Sequence, residues 1–321
     1  MDDSLTFTTR RRDDRQRLQD AAFRGTTRVF ALGVLVLLGG IVVALAVGAV
    51  PAFSTFGWAF LGSESWNPVK ENFGALPAIY GTLVTSVIAM LIGVPLALGI
   101  AVFLTELCPP PLRRPIGVLI ELLAAIPSII YGIWGLFVMA PLLQQTVQPF
   151  LVNTLGAVPL FGVLFAGPPL GLGVLTAGVI LGFMVLPFIA SVMRDVFLTV
   201  PPMLRESAYG VGATTSEVVS NIVLPYTSTG VVGGIMLGLG RALGETMAVT
   251  FVIGNAHRIK ASLLAPGTTI SATLANEFTE AVGDLYTSSL FALGFILFVI
   301  TFIVLAAAKL MLLRLEQRAA K

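Results

Sequence analysis

The chain has 321 residues, of which 56% are hydrophobic and only 11% charged. Soluble domains carry about 25% charged residues, so this chain has too few polar side chains to cover a globule of its length. With a mean hydropathy of +0.94 it is a membrane protein. A net charge of +2 is too small to indicate nucleic acid, and the high apolar content excludes disordered and collagen-like classes. A single cysteine, Cys108, excludes an internal disulfide and a cysteine-based metal site.

A membrane-spanning helix needs about 20 apolar residues. Six stretches qualify: 29–50, 79–104, 116–143, 171–193, 228–254 and 285–309. The first is preceded by an arginine-rich tail but exceeds the about 7–15 apolar residues of a signal-peptide core, so it reads as a retained helix. In that tail the arginines alternate with Asp13, Asp14 and Asp20, the pattern of a solvated, orienting segment. Pro95, Pro127 and Pro187 fall within spans, where a proline removes a backbone hydrogen bond and kinks the helix. The short stretch 155–167, interrupted by Pro159, is expected to lie at the interface or dip in from it rather than span.

Fifteen of the nineteen Lys and Arg residues fall on one side of these six spans. They are Arg10, Arg11, Arg12, Arg15, Arg17, Arg24 and Arg28 in the tail, Arg113 and Arg114, Arg194 and Arg205, and finally Lys309, Arg314, Arg318 and Lys321. Only Lys70, Arg258 and Lys260 lie opposite. The bias of basic residues toward the cytoplasm predicts that both termini are cytoplasmic. A seventh span at 155–167 would turn Arg194, Arg205 and the C-terminal tail outward, against that bias.

Three ionisable residues lie within the spans. Glu121, six residues past Pro115, is near enough to the cytoplasmic surface for its side chain to reach water. Arg241 and Glu245 are deep: Arg241 is about 20 Å along its span from Ser228 at 1.5 Å per residue. Each buried charge costs about 2.5–3.5 kcal/mol at the helix centre on insertion-based scales. Their i,i+4 spacing predicts mutual neutralisation on one helix face. The pairs Gly234/Gly238 and Gly240/Gly244 would admit close approach of another helix. Two readings follow, an internal ion pair locking helices together or a fixed positive charge lining a polar route for an anion.

No GxxxxGK[ST] phosphate loop, G-x-S-x-G elbow or H-E-x-x-H occurs. His257, the single histidine, excludes multi-histidine metal sites and reads as a solvated loop residue. The expectation is a transporter without an enzymatic site, cofactor or metal, so uphill transport would draw on an ion gradient or a partner subunit.

The loop 194–225 carries Glu206-Ser207-Ala208, then Gly212 and, nine residues on, Ile222-Val223-Leu224-Pro225. Glu206 suits the dipole of a helix start, Gly212 permits a turn, and Pro225 is expected to separate the loop helix from the fifth span. Such spacing suits a helix–turn–helix that docks on a soluble partner. It resembles the EAA motif of ABC importer permeases, E-A-A-x3-G-x9-I-x-L-P, departing only at Ser207. Gly81-Thr82-Leu83-Val84-Thr85-Ser86 looks like the start of a binding-protein-dependent permease domain. The stretches from Ala125 to Gly132 and from Arg241 to Ala248 are similar to phosphate importer permeases of the Pst system. Those beginning at Phe73, Ser191 and Phe251 fit its PstC-type subunits better than its PstA-type subunits.

The resemblance implies an all-α integral membrane protein with six transmembrane helices and the type I ABC importer permease fold. It implies a PstA-like permease subunit, two ATPase subunits and an extracytoplasmic phosphate-binding protein as partners, in the lipid bilayer of the inner membrane. The coupling loop would comprise Glu206, Ser207, Ala208, Gly212, Ile222, Leu224 and Pro225, and the substrate pathway Arg241 and Glu245. The organisation expected is a cytoplasmic tail (1–28), a first helix with its external loop (29–74), the permease domain (75–312, with the loop at 206–225) and a second cytoplasmic tail (313–321). The alternatives are a permease for another oxyanion, sulfate or molybdate, a stand-alone ion-coupled carrier, or a structural membrane anchor.

Overall fold

The computed structural model describes residues 3–156, 158 and 162–319. The side chains of 3–18, 311 and 314–319 lie outside that description, and with them those of Arg10 to Arg17, Arg314 and Arg318; Lys321 lies outside the described residues entirely. Contacts divide the chain into two units, Met1–Gly48 and Ala49–Lys321. Every described residue of the first unit belongs to helix α1 (Asp3–Phe56), apolar from Val29 onward.

The second unit continues with α2 (Ala59–Gly62) and an antiparallel hairpin, β1 (Trp66–Asn67) with β2 (Asn72–Phe73), in which Trp66 faces Phe73. The bundle then runs through α3 (Leu76–Val102), α4 (Pro110–Ala124), α5 (Ser128–Trp134), α6 (Ala140–Leu142) and α7 (Gln148–Thr154). It continues with α8 (Val174–Leu198), α9 (Pro202–Gly210), α10 (Thr215–Val218) and α11 (Leu224–Gly244). Last come α12 (Met247–Thr250), α13 (Ile270–Glu277) and α14 (Asp284–Ala319). Six helical stretches are long and apolar enough to cross a membrane: Gln19–Phe56, Leu76–Leu107, Ser128–Thr154, Val174–Leu198, Thr215–Gly244 and Asp284–Leu310.

The number of spans matches the sequence reading, but two bounds do not. The third span was expected at 116–143, yet α4 ends at Ala124 and the spanning stretch begins at Ser128. Pro127 lacks an N–H and disfavours helical backbone at the residue before it, so a continuous apolar run is still cut in two. The stretch therefore extends past Leu143 to Thr154 and takes in three glutamines, Gln144, Gln145 and Gln148. Gln148 is nevertheless fully buried, accepting from the Gly171 N–H (2.9 Å) and donating to Thr176 Oγ1 (3.4 Å). The fifth span was expected at 228–254. It begins with α10 and ends at Gly244.

Helices α3 and α8 form the centre of the bundle. Gly93 approaches the Gly182 carbonyl and Val185, while Gly182 lies against the Ala89 carbonyl, so small residues bring the backbones together. Ala89, Ala97, Leu181, Val185 and Ile189 are buried in this seam. At one end of the bundle, Leu263 N–H bonds the Leu164 carbonyl (2.8 Å) and Leu175 N–H the Leu263 carbonyl (2.8 Å). The described part of 155–167 therefore lies against the 255–268 loop; residues 157 and 159–161 are outside the described residues. The β-hairpin closes the same end. Trp66 stacks on His257 with ring centroids 5.1 Å apart, His257 Nε2 lies 3.3 Å from Glu277 Oε1, and the Tyr286 hydroxyl bonds the other Glu277 oxygen. His257 is thus half-buried rather than the solvated loop residue expected. The hairpin that covers it is distant in sequence.

Candidate translocation site and coupling loop

Helix α11 packs on α8 through one glycine face. A methyl at Gly230, Gly234 or Gly238 would meet Val196, Val192 or Ile189, each about one turn nearer the start of α8 than the last. Gly234 and Gly238 thus behave as the spacing predicts, and Gly230 extends the stripe. The other expected pair divides: a methyl at Gly240 would make ordinary contact with Leu305 of α14, and one at Gly244 would meet open space among the described residues.

This packing fixes Arg241. Its Cζ lies 5.6 Å from the centroid of Phe188, the fifteenth of the twenty-five residues of α8, so the guanidinium sits near the middle of a span. A cation over an aromatic face gains about 0.5–2 kcal/mol, according to how far it is desolvated. The Tyr131 hydroxyl, which donates to the Leu123 carbonyl at 3.0 Å, lies within coulombic reach of the same charge.

The expected ion pair on one helix face does not form. Helix α11 stops at Gly244, and Glu245 is extended (φ −68°, ψ 131°), so the i,i+4 geometry is lost. Glu245 Oε1 instead accepts from the Ala248 N–H (3.2 Å) across the start of α12. Among the described residues the ion pairs are Arg194–Glu121, Arg205–Glu106 and His257–Glu277, and Arg241 is in none of them. Helix α12 returns against α5, where Gly132 leaves room for Ala248 and Phe251. Gly254 at φ +89° ends the segment. Irregular backbone at membrane depth is tolerated where protein buries it or where it lines a cavity. The structure therefore places a fixed charge in the last turn of α11, beside the break that ends the helix and against the middle of α8.

The loop residues form a helix–turn–helix. Glu206, Ser207 and Ala208 lie on α9; Gly212, at φ +91°, makes the turn, and Thr214 with Glu217 form a capping box that starts α10. Glu206, Ser207, Gly212 and Pro225 are exposed. Ala208, Ile222 and Leu224 pack against the central core. Pro225 does not separate α10 from the span. A π-turn at Val219–Val223, in which Leu224 N–H bonds the Val219 carbonyl, shifts the register just before the residue that has no N–H, and the helix continues.

Glu106 was missed in the sequence, where it follows an apolar run and precedes three prolines. Its side chain is 5% exposed and 3.2 Å from Arg205 Nη2. Glu121, expected to reach toward water, is half exposed and bonds Arg194 at 2.7 Å. These contacts bring the ends of α3, α4 and α8 to the same end of the bundle as α9.

The family model described as "Binding-protein-dependent transport system inner membrane component" matches residues 93–317. "Phosphate transport system permease protein PstC" of Mesorhizobium japonicum is 66% identical over 301 residues, covering 94% of this chain and 92% of that protein. The chain belongs to the PstC family of binding-protein-dependent transport permeases. The protein of the same name from Pasteurella multocida is 57% identical over 296 residues, 92% of each chain. A solved bacterial alginate ABC transporter contains a chain of the same fold, with TM-score 0.57 and 19% identity over 88% of this chain and 94% of that one. The permease is accordingly an all-α, multi-pass inner-membrane protein with the fold of ABC importer permeases.

Proposed function

We propose that the chain is the transmembrane permease subunit of an ATP-driven phosphate importer, and that Arg241 is its contact for the anion. The observation that carries the reading is the 66% identity, over nearly the whole chain, to a phosphate transport permease. A stand-alone carrier or an anchor does not fit membership of a binding-protein-dependent family. Sulfate and molybdate are disfavoured by the names of the relatives.

In this reading a PstA-like permease supplies the other wall of the pathway, two ATPase subunits dock on α9 and α10, and an external phosphate-binding protein delivers the substrate. Both termini and α9 face the cytoplasm, in keeping with the fifteen basic residues on that side. The permease domain occupies 75–312, after the tail 1–28 and the segment 29–74, and 313–321 is a second tail. ATP hydrolysis belongs to the partner subunits.

The geometry suggests how the residues act. Arg241 is always charged and offers up to five donors in a planar fork that matches phosphate oxygens. Phe188 holds it weakly and, among the described residues, no carboxylate is bound to it, so its N–H groups are available to an entering oxyanion. Glu245 keeps the break after Gly244 in place and adds a negative charge that opposes tight retention of the anion. Glu206, Ser207 and Gly212 present the surface on which an ATPase bears. The test is labelled-phosphate uptake by the assembled importer. Loss of a charge-assisted contact worth about 1.5–3 kcal/mol lowers uptake by Arg241→Ala about 10- to 100-fold. Normal uptake by a correctly assembled variant would refute the role.

A further inference from the structure

We propose that Glu106 and Arg205 form the joint that carries motion of the docking segment into the spans, with Arg205 acting as a positioning residue. The inference rests on the reading of the chain as an ATP-driven importer subunit. Arg205 neighbours the exposed Glu206 on α9, but its own side chain is only 17% exposed and turns into the bundle. Its Nη2 lies 3.2 Å from Glu106 Oε1 and donates to the Phe197 carbonyl at 2.7 Å. Glu106 belongs to the π-turn Phe103–Leu107 that prolongs α3, and Phe197 to the last turn of α8. A single guanidinium therefore ties the docking helix to the ends of both central spans.

The contact is ionic rather than a well-aligned hydrogen bond: Glu106 Oε1 and Arg205 Nε are buried and, among the described residues, have no hydrogen-bond partner. Buried charges are little screened, and pulling them apart would strand two uncompensated ions. Helix α9 consequently moves only with α3 and α8. Helix α8 also carries Phe188, which lies against Arg241, so a continuous path of packed elements leads from the docking face to the mid-span charge. The Arg194–Glu121 pair, half exposed and between α8 and α4, bypasses α9.

The test uses the assembled importer in liposomes, with labelled-phosphate uptake and ATP hydrolysis measured in parallel. Glu106→Gln keeps the shape and removes the charge. It is expected to leave assembly and hydrolysis near wild type while phosphate moved per ATP falls about tenfold, within the usual range of coupling energies. Glu106→Asp, which retains the charge, restores most of the ratio. An unchanged ratio in Glu106→Gln, or parallel loss of uptake and hydrolysis with loss of assembled complex, overturns the proposal. A second measurement is independent of the substrate: spin labels at the exposed positions Met203 (α9) and Leu91 (α3) in a Cys108→Ala background. An intact joint keeps their separation within about 2 Å with and without ATP, the scale of interface helix shifts. Glu106→Gln releases it. A larger ATP-driven change in the wild-type joint overturns the proposal, whereas wild-type importer that moves no phosphate overturns only the importer reading.

Discussion

Position 178 tests whether the α3–α8 seam holds the bundle together. A methyl on Gly178 would lie 2.6 Å from Cγ2 and 2.7 Å from Cβ of Ile88, whereas non-bonded carbons rest at about 3.5–4.0 Å. Ile88 Cβ is bonded directly to the α3 backbone, so a change of rotamer leaves that overlap in place. The helices must part by about 1 Å, in an interior packed as densely as an organic crystal. Overpacking costs about 1–3 kcal/mol, and the better helix propensity of Ala offsets up to about 1 kcal/mol. The net loss for Gly178→Ala is about 1–2 kcal/mol, which lowers the melting temperature by about 2–5 °C. The protein carries its own reporter, since its single thiol, Cys108, is 1% exposed. A thiol-reactive fluorogenic dye therefore signals unfolding of the detergent-solubilised protein. Gly233, where an added methyl would meet open space, provides the control; Gly233→Ala is expected to melt no lower than wild type. A Gly178→Ala protein that melts within about 1 °C of wild type would refute the seam as a close-packed contact that holds the bundle together.

Glu245→Ala removes the acceptor that caps α12, costing about 0.5–2 kcal/mol and lowering the same melting temperature, while Glu245→Gln retains the acceptor and melts with wild type. Equal losses in both variants would mean that charge, not the cap, holds the break. At the hairpin end, burial pushes the His257 pKa below its ordinary 6.5, outweighing the upward pull of Glu277. The folded state thus favours the neutral ring. Its stabilising contribution is present above the ordinary value and is lost as pH falls through the folded one. The melting temperature should fall between about pH 7 and pH 5, and His257→Gln should flatten that slope; an identical slope in the variant would remove His257 as its cause. Glu121→Gln breaks a half-exposed ion pair worth about 0–1 kcal/mol, so stability and uptake should stay near wild type. A loss as large as that of Glu106→Gln would show that exposure does not separate the two pairs.

Much of this protein was legible from one residue at a time. Twenty apolar residues in a row must find hydrocarbon. The spacing from Glu206 to Pro225 marks a helix–turn–helix, because capping and turn chemistry act over a few neighbouring residues. Gly234 and Gly238 announced a close helix contact for the same local reason. The partner helix was not legible, since any apolar span could have supplied Ile189 and Val192.

Wherever the outcome depended on backbone freed from a helix, the tertiary structure decided. Arg241 and Glu245 have the spacing of an ion pair, yet the helix ends between them, because packing of α12 against Gly132 rewards a break that periodicity does not register. Pro225 looks like a stop, but a π-turn absorbs the missing N–H. Gln148, a polar side chain, becomes core through Gly171 and Thr176, which lie beyond it in the chain. Glu106 and Arg205 are nearly a hundred residues apart, and only folding brings them together. Hydropathy and local spacing thus determined the medium, the number of spans and the helix–turn–helix that begins at Glu206. The third dimension determined which charges meet, since a charge in a bilayer takes whatever partner the packing brings within reach.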